Sequence, residues 1–74
     1  MMNIGNYGEA IRAVRNARKM SQEEVAKRAG ISRSYLATTE TGEHNMSLNT
    51  LFKVLDAMGV QMRFELKEAW EPDV

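Results

Sequence analysis

Between Arg12 and Arg33 the chain carries seven cations, Arg12, Arg15, Arg18, Lys19, Lys27, Arg28 and Arg33, against only Glu23 and Glu24. Guanidinium and ammonium groups gathered in one stretch suit an anionic partner, above all the phosphates and base edges of a nucleic acid. From Glu40 onward the balance reverses: Glu40, Glu43, Asp56, Glu65, Glu68, Glu71 and Asp73 outnumber Lys53, Arg63 and Lys67. One reading is a basic face for a polyanion with an acidic end held away from it; the other is ordinary surface variation. The 74 residues sum to no net charge, so a polyanion would meet one face and not the whole surface.

Other chemistry is poorly represented. There is no cysteine, hence no disulfide and no thiolate nucleophile. The single histidine is His44, whereas zinc sites draw on clusters of histidine and cysteine. No glycine-rich phosphate motif is present, and the carboxylates are dispersed, so nothing pairs a nucleophile with a base. The expectation is a protein that is not an enzyme and takes neither metal nor cofactor. No run approaches the roughly 18 apolar residues of a membrane span. Met1 to Gly8 lacks the basic and apolar regions of a signal peptide, which points to the cytoplasm and away from membranes.

The elements that would position the cations are short helices. Tyr7, Ile11 and Val14 recur at helical spacing and predict a first helix from about Tyr7 to Met20. Ser21 and Glu24 form a capping box that opens a second, Gln22 to about Ala29, which Gly30 ends. Only Ile31 separates that stop from Ser32, a further N-cap, so a third helix, Arg33 to Thr41, follows across a very short turn. Two short helices joined so tightly must cross steeply, which is the helix-turn-helix arrangement. Ser47 caps a fourth helix whose stripe is Leu48, Leu51, Phe52, Leu55 and Met58 up to Gly59.

Beyond Gly59 the period becomes two: Val60, Met62, Phe64 and Leu66 alternate with Gln61, Arg63, Glu65 and Lys67, the pattern of a half-buried strand. A lone strand has unpaired edges, and a two-fold partner could supply an identical one. The alternatives are a strand lying on its own helices and a frayed tail. A chain this short buries only about 60% of its unfolded surface, which favours a partner subunit. The expected organisation is an N-terminal arm at 1–6, a helix-turn-helix domain at 7–59, a dimerisation strand at 60–67 and a tail at 68–74.

The run Ser21-Gln-Glu-Glu-Val-Ala-Lys-Arg-Ala-Gly-Ile-Ser-Arg-Ser-Tyr-Leu-Ala-Thr-Thr-Glu-Thr-Gly42 resembles the Cro/cI-like (Xre) helix-turn-helix family. Ile11 to Arg15 and Ser47 to Gly59 fit the same pattern, and the added strand looks like the antitoxins of HipB type. The resemblance implies a mostly α, lambda-repressor-like bundle of four to five helices, with the C-terminal strand pairing across a dimer. It implies that the third helix enters the major groove, with Arg33, Ser34 and Thr38 reading base edges, Arg33 suited to a bidentate contact with guanine. Tyr35 would touch sugar or phosphate. Ser21 and Gln22 sit at a helix N-terminus that favours an anion; by resemblance Gln22 clamps the backbone, helped by Thr41 and Asn45. The blander readings of Arg33 and Gln22 are solvated polar side chains.

Arg15 and Glu40 are implied to form a partly buried ion pair of architectural purpose. Three positions depart from the pattern. Thr39 stands where the family usually has isoleucine or leucine, implying a less apolar core, and Glu43 and Met46 stand where lysine and proline are common. The functions this leaves are a homodimeric repressor on a palindromic double-stranded DNA operator, an antitoxin that also binds a toxin, and a protein-interaction module. Trp70, flanked by acids, suits either a protein partner or the dimer seam.

Overall fold

The computed structural model describes residues 6–72; Met1 to Gly5 of the expected arm and the last two residues of the tail lie outside them. Among the described residues there are four helices: α1 (Tyr7–Ala17), α2 (Gln22–Ala29), α3 (Arg33–Thr41) and α4 (Leu48–Ala57). Each begins where a short polar side chain accepts from the amide three residues on. Asn6, Ser21 and Ser32 do so at 3.0 Å from Glu9, Glu24 and Tyr35, and Ser47 at 3.1 Å from Thr50. Such caps satisfy amides that the first helical turn leaves without partners. Half of the expected box at Ser21 differs, because the Glu24 carboxylate lies 3.4 Å from Arg28, one turn along α2.

The ends follow the same logic. Gly30 and Gly42 stop α2 and α3 at φ of 74° and 86°, a left-handed conformation that glycine adopts without strain. Helix α1 stops at Ala17, three residues before the expected end. Lys19 takes φ 56° there, and the Met20 amide donates to Arg15 O at 3.0 Å. This closes the helix as a glycine would, without the glycine that makes such an end visible in a sequence.

Helix α2 packs against α3 and α4, and α1 packs against α3. The core is Ile11, Val25, Ala26, Ala29, Leu36, Met46, Leu51, Val54 and Met58. Ala26 and Ala29 keep α2 slim where its neighbours cross, and Val25 and Leu36 are wholly buried on either side of the turn. At Gly8 a Cβ would lie 2.1 Å from Thr39 O, so α1 meets the end of α3 backbone to side-chain-free backbone. Met46, in the loop before α4, belongs to this core, and its amide donates to the Tyr7 hydroxyl. The expected α4 stripe is divided: Leu51 and Met58 are buried and Leu55 half-buried, whereas Leu48 and Phe52 are exposed, and Val54, outside that stripe, is wholly buried.

The expected strand at 60–67 does not form within the chain. Val60 still touches the core, but cover is lost along the segment until Phe64 and Leu66 are 89% and 99% exposed. The reason is physical: a strand needs a neighbour about 4.8 Å away to take its hydrogen bonds, and here the regular elements of the described chain are helices, whose backbone groups are paired within themselves.

Candidate nucleic-acid interface

Four side chains from three helices form one connected polar path. Arg15, on α1, places Nε 2.9 Å from Glu40 Oε2 and Nη2 3.0 Å from Glu40 Oε1. Its third donor, Nη1, reaches the Met20 carbonyl at 2.9 Å. This two-pronged geometry is the strong form of an arginine–carboxylate contact. The side chains are only 11% and 3% exposed, so the pair lies inside the fold between α1 and the end of α3.

Gln22, the first residue of α2, extends the path outward. Its Nε2 donates to Glu40 Oε1 at 3.2 Å, and its Oε1 accepts from Arg33 Nη1 at 3.2 Å. The chemistry of the partners sets the orientation of the amide, since an ionised carboxylate only accepts and a guanidinium only donates. Arg33, the first residue of α3, is exposed and is thereby tied to the N-terminus of α2. The N-termini of both helices, with their forward-pointing amides, come to the surface beside the Gln22 amide and the Arg33 guanidinium. That is a surface suited to phosphate and to an acceptor-rich base edge.

The remaining expected contacts fall near the same helix. Ser34 is exposed and Tyr35 half-buried. The Thr38 hydroxyl turns back to its own helix, donating toward Ser34 O and Tyr35 O at 3.1 Å each, with its oxygen also 3.5 Å from His44 Nε2, which leaves its methyl for a partner. Thr41 donates to Thr38 O at 2.8 Å, and Asn45 is exposed in the following loop. Ser21 is exposed, its hydroxyl committed to the α2 cap. Trp70 lies far along the chain, 66% exposed, in a hollow lined by Glu65, Leu66 and Lys67.

A helix-turn-helix family model matches residues 11–64. The chain belongs to the Cro/cI-like (Xre) helix-turn-helix family of transcription regulators. As a member of this family it is 46% identical over 55 residues to the immunity repressor protein of Bacillus phage phi105. That match covers 74% of this chain and 38% of the phage protein, so the chain spans well under half of that relative's length. Control protein C.BamHI of Bacillus amyloliquefaciens is 36% identical over 56 residues, covering 74% of this chain and 69% of that protein. Among solved structures, a chain of a HipA-HipB-O2-O3 complex is similar at TM-score 0.75 and 25% identity, covering 92% of this chain and 100% of that one. The Xre family is one of DNA-binding regulators, and the relatives of this member include repressors and HipB antitoxins.

Two features of this surface are not legible as motifs. The link from Gln22 to Glu40 joins residues 18 apart and depends on how α2 and α3 cross. His44 packs on α3, with its ring centroid 4.7 Å from that of Tyr35; a lone loop histidine carries no pattern that would single it out. No helix of the described residues is long and apolar enough to cross a membrane.

Proposed function

We propose that this chain is a sequence-specific repressor that binds a palindromic double-stranded DNA operator as a homodimer in the cytoplasm. The observation that carries the reading is the Gln22–Arg33 contact at 3.2 Å, which gathers a base-reading guanidinium and a phosphate-clamping amide at two exposed helix N-termini. Arg33 takes guanine O6 and N7, and Ser34 and Thr38 touch neighbouring edges, Thr38 with its methyl. Ser21, Gln22, Tyr35, Thr41 and Asn45 engage the sugar-phosphate backbone and set the register. The protein works by occupancy, with no catalytic group, metal or cofactor. Residues 60–67 pair with their copy in a second subunit, placing Val60, Met62, Phe64 and Leu66 in the seam; two recognition helices then stand about 34 Å apart, one turn of DNA.

The test is selection of sites from random duplex DNA with the Arg33→Ala protein in parallel. Wild type should enrich a palindrome; the variant should lose about 1–3 kcal/mol of affinity and its preference at one base position in each half-site. An identical motif from both proteins would remove Arg33 from base reading. Affinity should also fall with salt at about 0.9 log units per log unit for each phosphate neutralised.

A second reading, as an antitoxin that represses its own operon and also binds a toxin, is favoured by the exposed Trp70 and by the likeness to the HipA-HipB-O2-O3 chain. Under it, Trp70→Ala abolishes protection against a co-expressed toxin while operator binding is unchanged. Equal loss of both would place Trp70 in the dimer seam.

A further inference from the structure

His44 belongs to the loop between α3 and α4 and is half-buried. Its Nε2 lies 2.8 Å from Thr39 Oγ1 and 3.5 Å from Thr38 Oγ1. Thr39 is 1% exposed, and its hydroxyl also lies 2.9 Å from Tyr35 O, while that of Thr38 lies 3.1 Å from two helix carbonyls. A hydroxyl has one hydrogen to give, and a carbonyl can only accept. Both threonine hydrogens therefore go to the helix backbone, and lone pairs face the ring. The imidazole must supply the proton: Nε2–H donates to Thr39. With that bond made, the ring is held against Tyr35 at a centroid distance of 4.7 Å and a tilt of 49°.

Thr39 and His44 are thus a matched pair. An isoleucine or leucine at 39 would set the imidazole N–H against an apolar side chain and remove its acceptor. What the pair holds is Tyr35, in the first turn of α3, whose ring meets the imidazole of the loop that also carries Asn45.

We propose that His44 is a positioning residue of the DNA interface: held by Thr39, its imidazole fixes the Tyr35 ring in the setting from which Tyr35 contacts the sugar-phosphate backbone. This rests on the DNA-binding reading above and adds to it a residue that need not touch DNA. Thr39 acts through His44, and His44 through Tyr35.

The test uses the 74-residue chain on the operator chosen by selection. His44→Ala should lose up to about tenfold in affinity, the size of one neutral hydrogen bond. Thr39→Val, which keeps the shape and removes the acceptor, should lose a similar factor, and the double variant no more than either alone. In a Tyr35→Leu background His44→Ala should have no further effect. The salt slope should stay at the wild-type value, because the affected contact is uncharged. A slope smaller by about 0.9 in His44→Ala would mean that the imidazole itself neutralises a phosphate, overturning the positioning role. Full additivity with Tyr35→Leu would overturn it as well. Thermal melts accompany each variant, and affinity loss that tracks lost folded fraction counts against the proposal. Wild type that selects a site, with His44→Ala unaffected, sinks this inference alone; wild type that selects no site sinks the DNA-binding reading together with it.

Discussion

Buried charge decides most at the scale of single residues. Glu40 has 3% of its side chain exposed, and among the described residues its side-chain hydrogen bonds run to Arg15 and Gln22. Burying such a pair gains little net stability over an apolar pair, but removing one member strands the other. Arg15→Ala should therefore cost about 3–5 kcal/mol in urea or thermal unfolding, most of what a domain of this size has. Glu40→Gln, which keeps one accepting oxygen, should cost less. A loss below about 1 kcal/mol for Arg15→Ala would show that the pair behaves as a surface contact. The pair also bears on the interface, since it holds the carboxylate that orients the Gln22 amide, and that amide meets Arg33.

At the scale of elements the ends of the helices carry the argument. Ser21, Ser32 and Ser47 mark three starts that a reader of the sequence finds at once, and Gly30 and Gly42 mark two stops. Lys19 marks a stop that no reader would find, because a lysine in the left-handed region is uncommon. Its strain offers a prediction: Lys19→Gly should stabilise the fold by about 0.5–1 kcal/mol, the left-handed penalty less the entropy glycine adds to the unfolded chain. The melting temperature should rise by a few degrees, about 4–8 °C per kcal/mol for a small domain. A fall would mean that the lysine side chain contributes more than its backbone loses. The expected C-terminal strand shows the opposite failure. Alternation at 60–67 is real in the sequence, but alternation states only which residues would share a face, and a strand forms when something lies beside it.

At the scale of the whole molecule, apolar exposure is unevenly placed. Leu48, Phe52, Met62, Phe64, Leu66 and Trp70 are the large apolar side chains exposed among the described residues, and all lie at or after the start of α4. The basic, helix-turn-helix half is covered, and the acidic half carries the apolar surface, a division that suits DNA on one side and a second subunit on the other. Phe64→Lys should then convert a dimer into a monomer in sedimentation equilibrium and weaken operator binding, because half the recognition surface is lost per complex. An unchanged mass would remove the 60–67 segment from the dimer seam.

Much of this protein is legible in its sequence. Serine caps, glycine stops and a helical apolar period are local, so they specify four helices and the short turn between the second and third. The basic stretch and the family pattern then direct attention to Arg33 and Gln22. Tertiary structure alone decided what lies between elements. It placed Gln22 between Glu40 and Arg33, brought α1 against Thr39 at Gly8, took Met46 into the core, and set His44 on Tyr35. Each of these contacts joins residues whose separation along the chain says nothing of their distance in space. It is fixed by how helices cross, and helices cross where the summed packing of all their side chains is best.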